Sequence, residues 1–309
     1  MEFSQSKINE VKEIVKNKYQ TLYPDKMDRY YHILGVAKMA KYLANIYNVD
    51  ESRAEICGLV HDFYKYESID EMKTLIDPKD LNECIKYPVL FHSYASSEAL
   101  KKVFNIDDLE MKSAIRNHVF GHINQTKLEE IVLISDYTEE TRQYPDCIKV
   151  RKTLLDGNLN KAIYDSTLNT INFIKKKNIE PHPMQVLVLN EYRRKLIMSK
   201  LEDVLNGLKR INPENVVAYD SNLSSPFFDF IVVATVGSVR QTNQALSYIK
   251  EELAKENFDI KSYEGFDSEW VLIDGYDFLI HIMTESERER INIDKLYMNL
   301  DKLDIEKLL

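Results

Sequence analysis

The hydrophobic rhythm of this chain changes once, near residue 194, and that change commits it to two architectures in series. Up to residue 180, apolar residues recur at helical spacing: Val36, Met39, Ala40, Leu43, Ile46 and Tyr47 share one helical face, as do Leu128, Ile131, Val132 and Ser135. Pro181-His182-Pro183 breaks the pattern, and an amphipathic helix follows with Leu201, Val204, Leu205 and Leu208 on one face. Beyond it, NVVAYD, FDFIVVAT, DIKSY, WVLID and DFLIHIM are short β-rich runs, separated by turn residues and by one helix from about 239 to 256. Asp274-Gly275 between two apolar runs predicts a hairpin, with the strands around Trp270 and Ile280 as antiparallel neighbours. The expectation is an all-α helical bundle over residues 1–194, then an α/β (α+β) domain with one mixed sheet over residues 195–309. At 309 residues and 44% hydrophobic content, the chain can fill two cores.

Composition narrows the function classes. No run of about 18 uncharged apolar residues occurs, and the opening MEFSQSKINEVKEIVKNKY lacks the apolar core of a signal peptide. A cytoplasmic protein without a membrane span is expected. Cys57, Cys84 and Cys147 share no CxxC spacing, so they read as reduced structural thiols, and zinc held by sulfur is not expected. Of the net charge of −9, residues 195–309 carry −8, from 13 Lys+Arg against 21 Asp+Glu. That half is a poor match for nucleic-acid phosphates, DNA included, and a better one for a basic protein partner; simple solvation is the plain alternative.

The stretch EICGLVHDFYKYES, residues 55–68, is apolar enough for a buried helix yet sets His61 beside Asp62. Burying both is costly unless something pairs with them, and a metal ion compensates both most fully. Three more histidines stand in comparable settings on predicted helices: His32 in RYYHILGV, His92 in VLFHSYA and His118 in AIRNHVFGH. Asp136 closes the apolar run EEIVLISDY. Any one of these alone is more often a hydrogen-bonded core or surface residue. Four neutral imidazoles and two carboxylates together suffice for two divalent ions, with one carboxylate bridging.

The ordered series His, His-Asp, His, His, Asp resembles the six-ligand, dinuclear form of the HD-domain phosphohydrolases. RYYHILGVAKMAKYLA, GLVHDFYKYE and KLEEIVLISDYTEETR are similar to the YqeK-type symmetrical diadenosine-tetraphosphate hydrolases over about residues 15–190. The resemblance implies cleavage of a dinucleoside tetraphosphate into two nucleoside diphosphates. It implies metal ligation by His32, His61, Asp62, His92, His118 and Asp136, and it matches Lys65 to the family's His-Asp-x-x-Lys lysine and Arg142 to the basic residue after the last aspartate. Mixed His and Asp donors point to iron or manganese. Asp62, Lys65 and Arg142 are then the catalytic candidates, Lys65 standing one turn after His61 where it can hold a phosphate oxygen. Val119-Phe120-Gly121 and His122 depart from the family's usual Thr/Ser pair, glycine and arginine, and Ile123-Asn124-Gln125 replaces a loop that usually offers a methionine. These departures bear on the nucleotide, so a guanosine alarmone or a cyclic dinucleotide stays open as substrate. The latter lacks its usual Gly-Tyr-Pro signature here. A helical domain that only binds, its metals being structural, is the reading from a different class.

FFDFIVVATVGSVRQTNQAL and SEWVLIDGYDFLIHIMTESERERINIDKLY resemble the ribosomal silencing factor family, RsfS or Iojap, over about residues 195–300. The matching positions are Asp229, Phe230, Ala234, Thr235, Ser238, Arg240, Gln241, Trp270, Asp274, Asp277, His281 and Arg288. This implies a nucleotidyltransferase-like fold that binds a basic protein of the large ribosomal subunit, at the face where the small subunit docks, and so blocks joining. Asp274-Gly275-Tyr276-Asp277 replaces the usual Asp-Tyr-Gly-Asp turn, Gly237 stands one place later than usual, and Tyr297 replaces a tryptophan. A catalytic role for Asp274, Asp277 and His281 competes with a plain one, because His281 alternates with Ile280 and Ile282 as a strand residue does. Metal identity, oligomeric state (a homodimer included) and any regulation between the domains stay open.

Overall fold

Short polar side chains mark where the helices of the first half begin. In the computed structural model, which describes residues 2–221, 227–255 and 258–306, Ser4 caps α1 (Gln5–Leu22), and α2 (Met27–Ile46) follows. Asp50 accepts from the Ser52 and Arg53 amides to open α3 (Glu51–Val60), and Ser68 forms a capping box for α4 (Ile69–Leu75). After α5 (Leu81–Lys86) and α6 (Leu90–Lys102), Asp108 caps α7 (Leu109–Asn117), and Thr126 with Glu129 forms a second capping box for α8 (Lys127–Thr138). α9 (Pro145–Leu155) starts on proline, and Asn158 caps α10 (Leu159–Lys175). Each cap contributes about 1 kcal/mol. The apolar faces of α1, α2, α3 and α8 then close a dry core through Val11, Val15, Ile33, Leu43, Ile56, Leu59, Ile131 and Val132, each worth roughly 1.5–3 kcal/mol on burial. A smaller cluster of Met72, Ile76, Cys84, Leu90 and Phe91 joins α4, α5 and α6. Cys57, Cys84 and Cys147 are buried free thiols.

Two compact units divide the chain at residues 1–193 and 194–309, a division that falls within α11 (Pro183–Lys209). The second unit continues with β1 (Asn215–Asp220), β2 (Phe230–Val236), α12 (Val239–Lys255), β3 (Ser262–Glu264), β4 (Trp270–Asp274), β5 (Phe278–Thr284), α13 (Glu285–Ile291), α14 (Ile293–Leu296) and β6 (Asp301–Lys302). Among the described residues the strands form one mixed sheet in the order β3-β4-β5-β2-β1-β6. β2 pairs parallel with β5, and β4 pairs antiparallel with β5, as the hairpin signal predicts. Every residue of β2 is buried, which fits its near-continuous apolar sequence and central place. One sheet face packs on Leu201, Val204, Leu205 and Leu208 and on Ala245, Ile249 and Leu253 of α12. The other face carries Tyr219, Ile231, Val233 and Met283 against Ile293 and Tyr297. In the β4–β5 turn Tyr276, not Gly275, takes the left-handed φ of +71°. Gly275 serves a close approach instead, since a Cβ there would meet the Phe278 ring at 2.1 Å. No helix among the described residues is long and apolar enough to cross a membrane.

Candidate metal centre and substrate pocket

Helix α3 stops at Val60 and α7 at Asn117, so His61 and His118 sit one residue beyond helix ends and not within helices as their apolar context predicts. The last carbonyls of a helix lack intrahelical donors, and each ring supplies one. His61 Nδ1–H donates to the Gly58 carbonyl at 2.7 Å, and His118 Nδ1–H to that of Ile115 at 2.7 Å. His32, inside α2, donates through Nδ1–H to Glu139 Oε1 at 3.0 Å. Carbonyls and carboxylates only accept, so the neutral His61 and His118 rings carry their proton on Nδ1 and present an Nε2 lone pair, whereas His32 meets a carboxylate at each nitrogen, Glu139 at Nδ1 and Asp136 at Nε2, and frees Nε2 for a cation that comes between it and Asp136.

Those lone pairs converge with two carboxylates. His92 Nε2 and His118 Nε2 lie 3.1 and 3.8 Å from Asp62 Oδ1, while His61 Nε2 lies 3.5 Å from Asp62 Oδ2. Asp136 Oδ1 approaches His32 Nε2 at 3.0 Å and His61 Nε2 at 3.9 Å. Asp62 is common to two buried sets, His32–His61–Asp62 and Asp62–His92–His118, in each of which the donor atoms lie within 4.8 Å of one another. All six residues singled out as ligands therefore meet in one place.

Divalent metals fit this arrangement. His61 Nε2 and Asp62 Oδ1 are buried without a hydrogen-bond partner, a condition that costs about 1–3 kcal/mol per atom unless a cation satisfies it. Burial holds His92 and His118 down at about 4, so both rings are neutral donors at neutral pH. Burial by itself would raise the Asp62 carboxyl, but the neighbouring His61 and Lys65 outweigh it and hold the group well below the usual carboxylate range. Burial likewise lowers His61, whereas at His32 burial is outweighed by the Asp136 and Glu139 carboxylates, which raise the ring. Imidazoles set around ionised carboxylates suit imidazole- and oxygen-binding transition metals.

Positive charge surrounds the same point. Lys65 Nζ stands 3.1 Å from His92 Nε2 and 3.5 Å from Asp62 Oδ1. Arg142 donates to Asp136 Oδ1 at 2.8 Å, and Arg29 to Asp62 Oδ2 at 3.0 Å. Lys65, His92, His118, Asp136 and Arg142 line a pocket of about 280 Å³. Val119, Phe120 and Leu133 supply apolar wall, and Ser166, Thr167, Thr170 and Gln185 supply polar wall.

Residues 29–141 match the family model of the HD domain, and residues 196–309 that of the ribosomal silencing factor during starvation. A symmetrical bis(5'-nucleosyl)-tetraphosphatase of Halalkalibacterium halodurans is 36% identical over 165 residues, 53% of this chain and 88% of that protein. The ribosomal silencing factor RsfS of Chromobacterium violaceum is 30% identical over 101 residues, 32% of this chain and 81% of that protein. The chain belongs to both families, a tetraphosphatase unit followed by a silencing-factor unit. The crystal structure of a predicted HD superfamily hydrolase involved in NAD metabolism from Clostridium acetobutylicum superposes with a TM-score of 0.53 at 32% identity, covering 63% of this chain and all of that one. The tetraphosphatase unit is thus an HD-domain, metal-dependent phosphohydrolase.

Sequence reasoning passed over Arg29 and Glu139 in that unit. Arg29 carried a signal, one helical turn before His32 on α2. Glu139 carried little, standing in the acidic run Thr138-Glu139-Glu140. The polar wall from α10 and α11 had none, because it is brought in only by tertiary packing. Of the departures from the family pattern, Val119 and Phe120 do face the pocket, whereas His122 is turned to Glu129 at 2.9 Å. In the silencing-factor unit, Asp274 pairs with Lys261 at 2.8 Å and Asp277 pairs with Lys200. His281 is buried, accepting from Trp270 Nε1 at 3.2 Å and bonded to the Tyr297 hydroxyl at 2.8 Å. Asp274 and His281 are taken up by their neighbours in the manner of a structural network, and Asp277 is held by one oxygen, its Oδ1 being buried without a hydrogen-bond partner.

Proposed function

We propose that the first unit hydrolyses diadenosine tetraphosphate to two ADP at the centre around Asp62. The second unit, on this reading, binds the large ribosomal subunit through a basic ribosomal protein at the subunit interface and blocks subunit joining in the cytoplasm. The observation that carries the first half is a single one: Asp62 belongs to two buried donor sets beside a pocket edged by Lys65 and Arg142. His32, His61, Asp62, His92, His118 and Asp136 would hold the metals. When bound, two divalent ions, iron or manganese by donor type, acidify a water and neutralise charge on the phosphoryl group under attack.

The chain's own residues do the rest. Lys65 and Arg142 offer donors to non-bridging phosphate oxygens, and Arg29 fixes one Asp62 oxygen so that the other stays turned to His92. Cleavage of the central anhydride consumes one water, whose oxygen ends on one ADP while the bridging oxygen leaves with the other. Product analysis on diadenosine tetraphosphate tests this. ADP as the sole nucleotide product, and loss of more than about 100-fold in Asp62→Ala, are expected; ATP plus AMP contradicts the symmetrical cut, and elemental analysis without Fe or Mn contradicts the metal assignment. For the second unit, its −8 charge supports co-sedimentation with large subunits that weakens as salt rises. Failure to pellet at low salt contradicts it.

A further inference from the structure

Glu139 lies one residue beyond α8 with its side chain wholly buried. Its carboxylate is fully engaged: Oε1 accepts from His32 Nδ1–H at 3.0 Å and from the Thr141 hydroxyl, and Oε2 accepts from the Thr141 amide at 2.6 Å. The turn that carries it is fastened from α9, where Arg151 donates to the carbonyls of Thr138, Glu139 and Arg142. Opposite, α2 places a glycine one turn after His32. A Cβ on Gly35 would sit 2.3 Å from Glu139 Oε2 and 3.1 Å from its Cδ. Gly35 lies within a helix that alanine would favour by about 0.5–1 kcal/mol, so the helix does not ask for it. What it provides is room for the carboxylate.

We propose that Glu139 is a positioning residue of the metal centre: it holds His32 as the Nδ1–H tautomer with Nε2 turned toward Asp136, and Gly35 is the gap that admits it. This rests on the reading of His32 as a metal ligand. A carboxylate behind an imidazole both fixes the ring and makes its free nitrogen a stronger donor, and loss of such a partner weakens metal binding roughly 10–100-fold.

The test uses the full chain, stripped of metal and titrated with Mn²⁺, with calorimetric affinity and bound metal per chain as readouts and a circular-dichroism melt of the metal-free protein beside them. Wild type should take up two ions. Glu139→Ala and Gly35→Ala should each weaken the weaker site by about 10–100-fold, measured well below the midpoint of each variant's metal-free melt so that the chain is folded when titrated. Glu139→Gln, whose amide oxygen still accepts from Nδ1–H, should recover most of the loss. Adding Gly35→Ala to Glu139→Ala should cost nothing more, because the carboxylate it would displace is gone. Thr141→Val, which removes a donor to Glu139 but leaves His32 its acceptor, should bind as wild type does. Wild-type affinity in Gly35→Ala, additivity in the double variant, or an equal loss in Thr141→Val overturns the proposal. A wild-type chain that takes up no Mn²⁺ overturns the ligand reading beneath it, a distinct result.

Discussion

Lys65 stands at two points of the candidate centre. Its ammonium, 3.1 Å from His92 Nε2 and 3.5 Å from Asp62 Oδ1, screens lone pairs that otherwise repel, and it reaches the pocket where phosphate oxygens would lie. Stabilising charge that develops only during bond breaking lowers the barrier without tightening ground-state binding. Lys65→Ala should therefore lower kcat by about 100–1,000-fold with a smaller change in KM, and Lys65→Arg should restore part of it. Steady-state release of ADP reads both, and an unchanged kcat in Lys65→Ala removes the role. At this scale the sequence was most informative about which residues gather at the candidate centre, because a histidine or aspartate inside an apolar run is expensive to bury and so stands out. Arg29 and Glu139 did not stand out. Charged residues among charged neighbours look solvated until tertiary packing shows that one is fully buried against His32.

Helix existence followed from the 3.6-residue period, but helix ends did not, since apolar spacing runs on through Val60 into His61 while the backbone turns away. Past His61 the chain goes over to three-residue turns, Phe63 N–H bonding the Val60 carbonyl and Lys65 N–H that of Asp62, and the His61 ring takes the Gly58 carbonyl. The same glycine sets the packing of α3: a Cβ on Gly58 would lie 2.5 Å from Ala37 Cα and 2.7 Å from its amide nitrogen. Backbone cannot yield there as a side chain could. Gly58→Ala should accordingly destabilise the first unit by about 1–3 kcal/mol through overpacking, in spite of alanine's higher helix propensity. It should also move His61, three residues on, and so weaken metal uptake. A chemical-denaturation midpoint equal to or above that of wild type would show that the two helices separate without cost.

Across the whole molecule, the change from helical to strand rhythm and the concentration of negative charge after residue 195 were legible, and so was the β4–β5 hairpin, because its turn is local. The parallel pairing of β2 with β5 was not: those strands are separated by α12, β3 and β4, and only the assembled sheet brings them side by side. That sheet buries His281 between Trp270 and Tyr297, and Trp270 is the chain's single tryptophan. Its fluorescence therefore reports the second unit within the intact protein. The indole N–H can only donate, so His281 Nδ1 must be the unprotonated nitrogen and Nε2–H donates to Tyr297. Burial lowers His281 to about 4, against roughly 6.5 in the unfolded chain. Between these values the unfolded state binds one more proton than the folded state, so the stability held by the neutral ring is complete above pH about 6.5 and is lost as pH falls through about 4, a change of order 3 kcal/mol. Urea unfolding followed by tryptophan fluorescence at pH 7, 5.5 and 4.5 should show that loss. Carboxylates titrate over part of the same range, so the decisive quantity is the difference in pH slope between wild type and His281→Gln. The variant should be less stable at pH 7 and flatter toward acid; parallel slopes would mean that the ring does not stay neutral in the folded protein.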